Sequence, residues 1–292
     1  MKPNVGLIGV GMMGIGIASN LIRHGYPLSV LDHPGNQPLD PLRMSGAQIF
    51  GSPSALANRV EVLIVCVTGS PQVEAALVGE LGAIGGLRPG STIVDCSTAI
   101  PASTERMAQA AQRAGCFFID AAMTRTPKEA AEGRLNLLVG GNAAVLDAVR
   151  PVLNCFAENI FHAGPVGAGH RMKLLHNFVS LGLVTLIAEA AACARKSGIP
   201  EAIFVDVLSR GGGGGIALER LKPYLLEGNT AALQFTVANA KKDLSYYAQM
   251  ASDTHADSTI AAAVLETLTR SAQVDPEAMV PELVHLIASR SG

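Results

Sequence analysis

The glycines at the start of the chain constrain the fold more than any other feature. "NVGLIGVGMMG" sets Gly9, Gly11 and Gly14 in a G-x-G-x-x-G pattern, directly after an apolar run and ahead of the helical stretch "MGIGIASNLIRHG". Glycine permits a tight strand-to-helix turn and a close backbone approach to a pyrophosphate, and the helix N-terminus then faces that anion. The alternative is a glycine-rich turn with no ligand. The flanking strand and helix favour the nucleotide reading, with Gly9, Gly11, Met12, Met13 and Gly14 as the phosphate loop. Asp32 ends the next apolar run, "LSVLD", 18 residues after Gly14. A carboxylate there accepts hydrogen bonds from both ribose hydroxyls and repels a 2′-phosphate. His33 and Pro34 follow, with no arginine beside them to hold that phosphate. NAD is therefore favoured over NADP, with His33 and Arg43 as the residues that could reverse the preference.

The alternation continues through "VEVLIVCV", "STIVD", "CFFID", "LNLLVGG" and "NIFHAG", separated by Ala-rich helical segments. Short Val/Ile/Leu-rich runs between helices predict an α/β domain with a largely parallel sheet. After Gly164 the strand runs vanish. Helical patterns cover Gly169–Ser197, Ala202–Ser209, Thr236–Ala251, Ser258–Ser271 and Pro276–Ser289. The expectation is α/β: a Rossmann-type dinucleotide-binding domain over residues 1–164, then an all-α C-terminal domain over 165–292. Five consecutive glycines, Gly211–Gly215, cannot lie inside a stable helix. They read either as a lip over a substrate or as a permissive interhelix loop.

Composition narrows the function. Charged residues make up 16% of the chain, against roughly 25% in an average soluble protein, so surface is expected to be hidden in a homo-oligomer, a dimer or tetramer. A net charge of −2 leaves no basic footprint for nucleic acid. The five cysteines stand singly, without metal-type spacing, and read as reduced core thiols of a cytoplasmic protein, with no metal site. The longest apolar tract, Phe178–Ala194, contains Glu189 and falls short of the ~20 residues of a membrane span.

"GPVGAGHRMKLLHNF" opens the second half, with Asn177 one helical turn after Lys173. A lysine that donates to a carbonyl oxygen, oriented by a neighbouring amide, suits general acid chemistry during hydride transfer. Taken alone, Lys173 would read as a surface charge. "GLIGVGMMG", "DCSTAIP", "DAAMTRT", "GPVGAGHRMKLLHN" and "AKKDL" together, in this order, resemble the β-hydroxyacid dehydrogenases, among them 3-hydroxyisobutyrate dehydrogenase and tartronate semialdehyde reductase. The resemblance spans nearly the whole chain. It implies an oxidoreductase of the 6-phosphogluconate dehydrogenase-like fold, with its active site in a cleft between the domains. It also implies Lys173 as general acid/base with Asn177 beside it, Ser97 and Thr98 near the nicotinamide, and Lys242 beside the cofactor. The alternatives are a helix cap for Ser97 and Thr98, a solvated charge for Lys242 and a core amide for Asn177. Thr68, closing "LIVCVT", reads equally as a cofactor contact or a plain strand-end hydroxyl.

Two departures bear on the substrate. The family's D-A-P-V-S-G-G becomes Asp120–Thr126, with Thr124, Arg125 and Thr126 in place of Ser-Gly-Gly. K-x-x-N-N becomes Lys173 to Asn177, with His176 replacing the first Asn. An arginine offers a planar fork of donors suited to carboxylate, sulfonate or phosphate. The sulfolactaldehyde reductase branch is similar here, and the resemblance assigns Arg125 and Ser180 to the substrate's anion, with Thr124 and Thr126 beside Arg125 at the substrate. His176 stands where that branch has Asn, so the substrate is either a sulfonate or another anionic aldehyde that uses His176 as a further donor. The competing readings are an outward Arg125 paired with Glu129 or Glu132, and a core histidine at 176. The expected function is reversible hydride transfer between NAD and a small anionic β-hydroxyacid or its semialdehyde, with a sulfonate-specific reductase as one alternative. A non-catalytic NAD-binding scaffold and an imine reductase are the others, and the presence of Lys173 counts against both.

Overall fold

A computed structural model of the protein describes residues 2–289. The chain divides into two compact units, Met1–Lys173 and Leu174–Gly292. The first holds one eight-stranded sheet built from β1 (Val5–Ile8), β2 (Leu28–Leu31), β3 (Gln48–Phe50), β4 (Val62–Val65), β5 (Thr92–Asp95), β6 (Phe117–Thr124), β7 (Leu135–Gly140) and β8 (Ala157–Gly164). The spatial order is β3-β2-β1-β4-β5-β6-β7-β8. All neighbours pair parallel except β6 and β7. Chain order reverses between β1 and β4, and in open α/β sheets that switch point, outside the strands' carboxyl ends, is where ligands bind.

The near-continuous apolar runs follow from covering the sheet on both faces. Val5 and Leu7 of β1, Val62 and Ile64 of β4, Val94 of β5 and Ile119 of β6 enter one core. The alternate residues Ile8, Leu63, Val65, Ile93 and Phe118 enter the other. This period of two is the strand pleat itself. β3 escapes a sequence reading because "QIF" is three residues on an incompletely buried edge.

The helix Ala168–Lys196 runs 29 residues. By length and composition alone it would pass for a membrane span, but half of its apolar window is buried inside the protein, the pattern of a core helix. In the second unit its residues Leu181, Val184, Ala188 and Ala191 pack with Leu218, Leu221, Leu244, Leu268 and Leu283. The helices Glu201–Arg210, Val237–Asp253 and Thr259–Val274 lie close to their expected bounds. Ile216–Glu227 was not expected to be helical; its internal Pro223 and the glycines before it hide the apolar period. The expected helix over Pro276–Ser289 needs correction. Met279 bridges Thr236 in antiparallel fashion, and helical backbone begins only at Val280. The five glycines do break the helix, falling between Arg210 and Ile216.

Candidate active site

Each glycine of the first turn answers a steric demand of its own. Gly9 has φ +96°, and a Cβ there would lie 2.1 Å from the Cys66 carbonyl oxygen. A Cβ on Gly14 would lie 2.0 Å from the carbonyl oxygen of Gly9, while one on Gly11 would meet nothing within 4 Å. The outer two glycines are thus fixed by the fold, and the middle one keeps an open approach to its backbone. The helix beginning at Gly14 has no side-chain cap and no acidic residue in its first turn, so its positive end faces this opening. That is the chemistry a pyrophosphate needs. Met12 is exposed and Met13 partly buried. Asn36, unremarked in the sequence, braces the loop: its Oδ1 accepts the Val10 N–H at 3.1 Å and its Nδ2 donates to Leu31 O at 2.8 Å.

Three apolar runs end in aspartate, and the structure gives each a different environment. Asp32, after β2, is exposed at the strands' carboxyl ends. Asp95 and Asp120 pair in register on β5 and β6 and are fully buried. Asp120 accepts the N–H groups of Gly167 at 2.7 Å and His170 at 2.8 Å, a carboxylate cap on the start of the long helix. A Cβ on Gly169 would lie 2.3 Å from Leu138 O, so this helix can approach the sheet only with glycine there. Burial pushes the Asp95 carboxyl above its ordinary range, opposed by the nearby His170 and by hydrogen bonds from Ser97, and reinforced by Asp120.

Ser97 is buried, and its hydroxyl accepts the Val67 N–H at 3.0 Å. Of the Ser97–Thr98 pair, Thr98 is the partly exposed member. Thr68 is exposed just beyond β4. Cys66 and Cys96 follow adjacent strand ends; burial pushes the Cys66 thiol up to about 12 and that of Cys96 well above its ordinary value. Both stay protonated thiols. Cys193, expected in a core, is exposed, because it falls on the outer face of the long helix. Among the described residues no cluster of three His, Cys, Asp or Glu could hold a metal.

In the stretch Thr124–Thr126, Thr124 is buried and its hydroxyl accepts from Asn136 Nδ2 at 3.2 Å. Arg125 has φ +82°, a left-handed conformation that favours the glycine of the family pattern. Its guanidinium pairs with the Glu158 carboxylate and donates to the Arg134 carbonyl oxygen, and not with Glu129 or Glu132. Thr126 stands at the N-cap of the short helix Pro127–Glu132, and both its N–H and its hydroxyl donate to Glu129 Oε2, at 3.0 and 2.5 Å. The T-x-x-E spacing signals that cap in the sequence.

Lys173 is partly buried on the long helix. In the second unit Asn177 is buried, and its Nδ2 donates to Asp243 Oδ2 at 2.6 Å. This fixes the amide orientation, so Asn177 Oδ1 accepts from His176 Nδ1–H at 3.0 Å. The other Asp243 oxygen lies 3.2 Å from Lys242 Nζ, and that ammonium sits 5.7 Å from the Tyr246 ring centroid. His176, Asn177, Asp243 and Lys242 therefore form one polar chain across two helices of this unit. Asp243 was missed in the sequence, where only its neighbour Lys242 drew notice. His176 is exposed, not a core histidine, and Ser180 is partly exposed one turn further on.

Comparison with known proteins bears on the family and the fold. Residues 4–164 match the NAD binding domain of 6-phosphogluconate dehydrogenase, and 167–284 match the NAD-binding region of NADP-dependent 3-hydroxyisobutyrate dehydrogenase. The chain is 33% identical to a Pseudomonas aeruginosa NAD-dependent L-serine dehydrogenase, over 75% of this chain and 74% of that protein. It is 29% identical to the 3-sulfolactaldehyde reductase of Escherichia coli K12, over 91% and 89% of the two chains. A crystal structure of 3-hydroxyisobutyrate dehydrogenase from Salmonella typhimurium superimposes with a TM-score of 0.83 at 26% identity, covering 96% of this chain and 98% of that one. The chain belongs to the β-hydroxyacid dehydrogenases of the 3-hydroxyisobutyrate dehydrogenase type, a family of NAD(P)-dependent oxidoreductases.

Proposed function

We propose that the protein is an NAD-dependent dehydrogenase that interconverts a small anionic β-hydroxyacid and its semialdehyde, with Lys173 as general acid/base. When bound, the nicotinamide supplies or accepts the hydride. Lys173 donates a proton to the carbonyl oxygen on reduction and takes it back on oxidation. Asn177 orients the reacting oxygen or the ammonium, and Asp243 holds Asn177 in place. Lys242, Thr68 and Thr98 bind the cofactor alongside the glycine loop. The exposed Asp32, with no arginine beside it, supports NAD over NADP. The observation that carries this reading is the Asn177–Asp243 bond, which locks an amide one turn beyond Lys173 on the same helix.

Arg125, with Thr124 and Ser180, would hold the substrate's distal anion. Its present partner is itself a carboxylate held at Nη1, so an anionic substrate either displaces Glu158 or meets the other donors of the guanidinium. A planar fork also fits a sulfonate, and the relative that reduces 3-sulfolactaldehyde makes a sulfonate the second reading. Apolar side chains exposed along one face of the long helix, Leu175, Val179, Leu183 and Leu186, support a homo-oligomer, which we place in the cytoplasm. Sedimentation of the same preparation at the mass of a single chain would contradict that assembly.

The test is an NADH-oxidation screen comparing sulfolactaldehyde with succinic, methylmalonic and tartronate semialdehydes, on the natural chain and on Arg125→Gly. Glycine suits φ +82°, so the backbone accepts the substitution. A melting temperature within a few degrees of the natural chain's will show that a loss of activity is not unfolding caused by the lost Glu158 and Arg134 contacts. Loss of charge-assisted hydrogen bonds worth about 1.5–3 kcal/mol should lower kcat/KM roughly 10- to 100-fold for the preferred substrate. Unchanged kcat/KM for every aldehyde would remove Arg125 from the substrate site.

A further inference from the structure

His170 is fully buried, and its ring joins three segments of the first unit. Nδ1 lies 2.7 Å from Thr104 Oγ1, on the helix Pro101–Arg113. Nε2 lies 3.1 Å from the Ser97 carbonyl oxygen and 4.0 Å from Asp95 Oδ2, an oxygen with no hydrogen-bond partner among the described residues. A carbonyl oxygen only accepts, so Nε2 carries a proton whatever the charge of the ring. The Thr104 hydroxyl donates to Nδ1 or, at 3.2 Å, to Ile100 O. The backbone of His170 is held too, through its N–H to Asp120. Both ends of the residue are therefore fixed, one turn ahead of Lys173.

We propose that His170 is a positioning residue: it ties the Ser97–Thr98 segment to the first turn of the helix that carries Lys173, so the two are held in one fixed relation. The inference rests on the dehydrogenase reading above for its catalytic consequence, but not for its structural one. Any buried imidazole needs partners at its nitrogens, so what distinguishes His170 is where those partners lie. Here each nitrogen meets an oxygen from a different element.

Two substitutions separate positioning from filling. His170→Leu keeps most of the volume and removes both hydrogen bonds. His170→Gln keeps a donor for Ser97 O and an acceptor for Thr104. With the best aldehyde from the screen, the Leu variant should lose at least 30-fold in kcat with less than a threefold change in KM. Its primary deuterium isotope effect with 4-deuterated NADH should rise toward the intrinsic value. The Gln variant should recover to within about fivefold of the natural chain. Amide hydrogen exchange across residues 96–104 gives a readout that needs no turnover: protection should fall in the Leu variant and return with Gln. If His170→Leu fails to fold, Thr104→Val removes one partner alone and should show the same loss of protection with a smaller loss of kcat. Natural protection in whichever of the Leu and Val variants folds, or a Gln variant as impaired as Leu, overturns the proposal. A natural chain that turns over no aldehyde but shows the exchange pattern would overturn the dehydrogenase reading and leave the positioning role standing.

Discussion

The glycine turn after β1 and the five glycines at 211–215 look alike as strings, but their surroundings differ. In the first, Gly9 and Gly14 are forced by backbone oxygens 2.1 and 2.0 Å from a would-be Cβ, and Gly11 faces open space. In the second, a Cβ on Gly212 meets nothing, and one on Gly213 meets only the tip of the Leu208 side chain, a group that can move aside. Gly215 has φ +135°, and a Cβ on Gly211 or Gly214 would come within 3.1 to 3.3 Å of backbone oxygens, close but far looser than the overlaps of the first turn. Glycine is informative where neighbours on both sides dictate it. Elsewhere it marks only where a helix must stop.

Three substitutions bear on that contrast. Gly14→Ala drives a methyl into fixed backbone and should cost more than about 3 kcal/mol. The melting temperature should fall by on the order of 10 °C, or the first unit should fail to fold. An unshifted melting curve would mean the turn is not what holds the helix to the strand. Gly11→Val should act on binding alone: NADH affinity measured by fluorescence should drop more than tenfold while the melting temperature stays within about 2 °C, because a Cβ there meets no protein atom within 4 Å and would fill the opening proposed for the pyrophosphate. Equal affinity for both proteins would remove the phosphate from this loop. Gly212→Ala should be the mildest, with stability and kcat/KM within about twofold of the natural chain, as expected for a surface loop position without a special contact. A KM shifted well beyond that would make the pentaglycine a substrate lip instead of a connector.

The same contrast explains what could be read from the chain. The sheet was legible because both its faces are covered, which makes each strand a run of apolar residues. The glycine loop was legible because its spacing encodes a turn. The polar residues at strand ends were not. Asp32, Asp95 and Asp120 share one local signature, an apolar run closed by aspartate. Only the pairing of β5 with β6 and the arrival of the long helix bury two of them and leave the third in solvent. His170 and Asp243 were missed for a related reason, since the side-chain hydrogen bonds that join the His170 ring to Thr104 and Ser97, and Asp243 to Asn177, span 66 to 73 residues of sequence. Thr126 was read toward the substrate although its capping-box spacing to Glu129 was visible. Lys173, Asn177, Arg125 and Lys242 came from ordered motifs, and motif order says nothing about what each side chain touches. Arg125 shows the cost of that gap: its partner, Glu158, lies on a strand that no local pattern connects to it.

The account turns on Lys173. The most direct measurement is a single-turnover experiment following NADH absorbance with the natural chain and with Lys173→Ala, using the preferred aldehyde and saturating enzyme. General acid catalysis by a side chain contributes roughly 100- to 10,000-fold. Hydride transfer in the Lys173→Ala protein should therefore slow by at least about 100-fold, with NADH affinity within about twofold. Hydride transfer within threefold of the natural rate would contradict the assignment of Lys173 and the mechanism built on it.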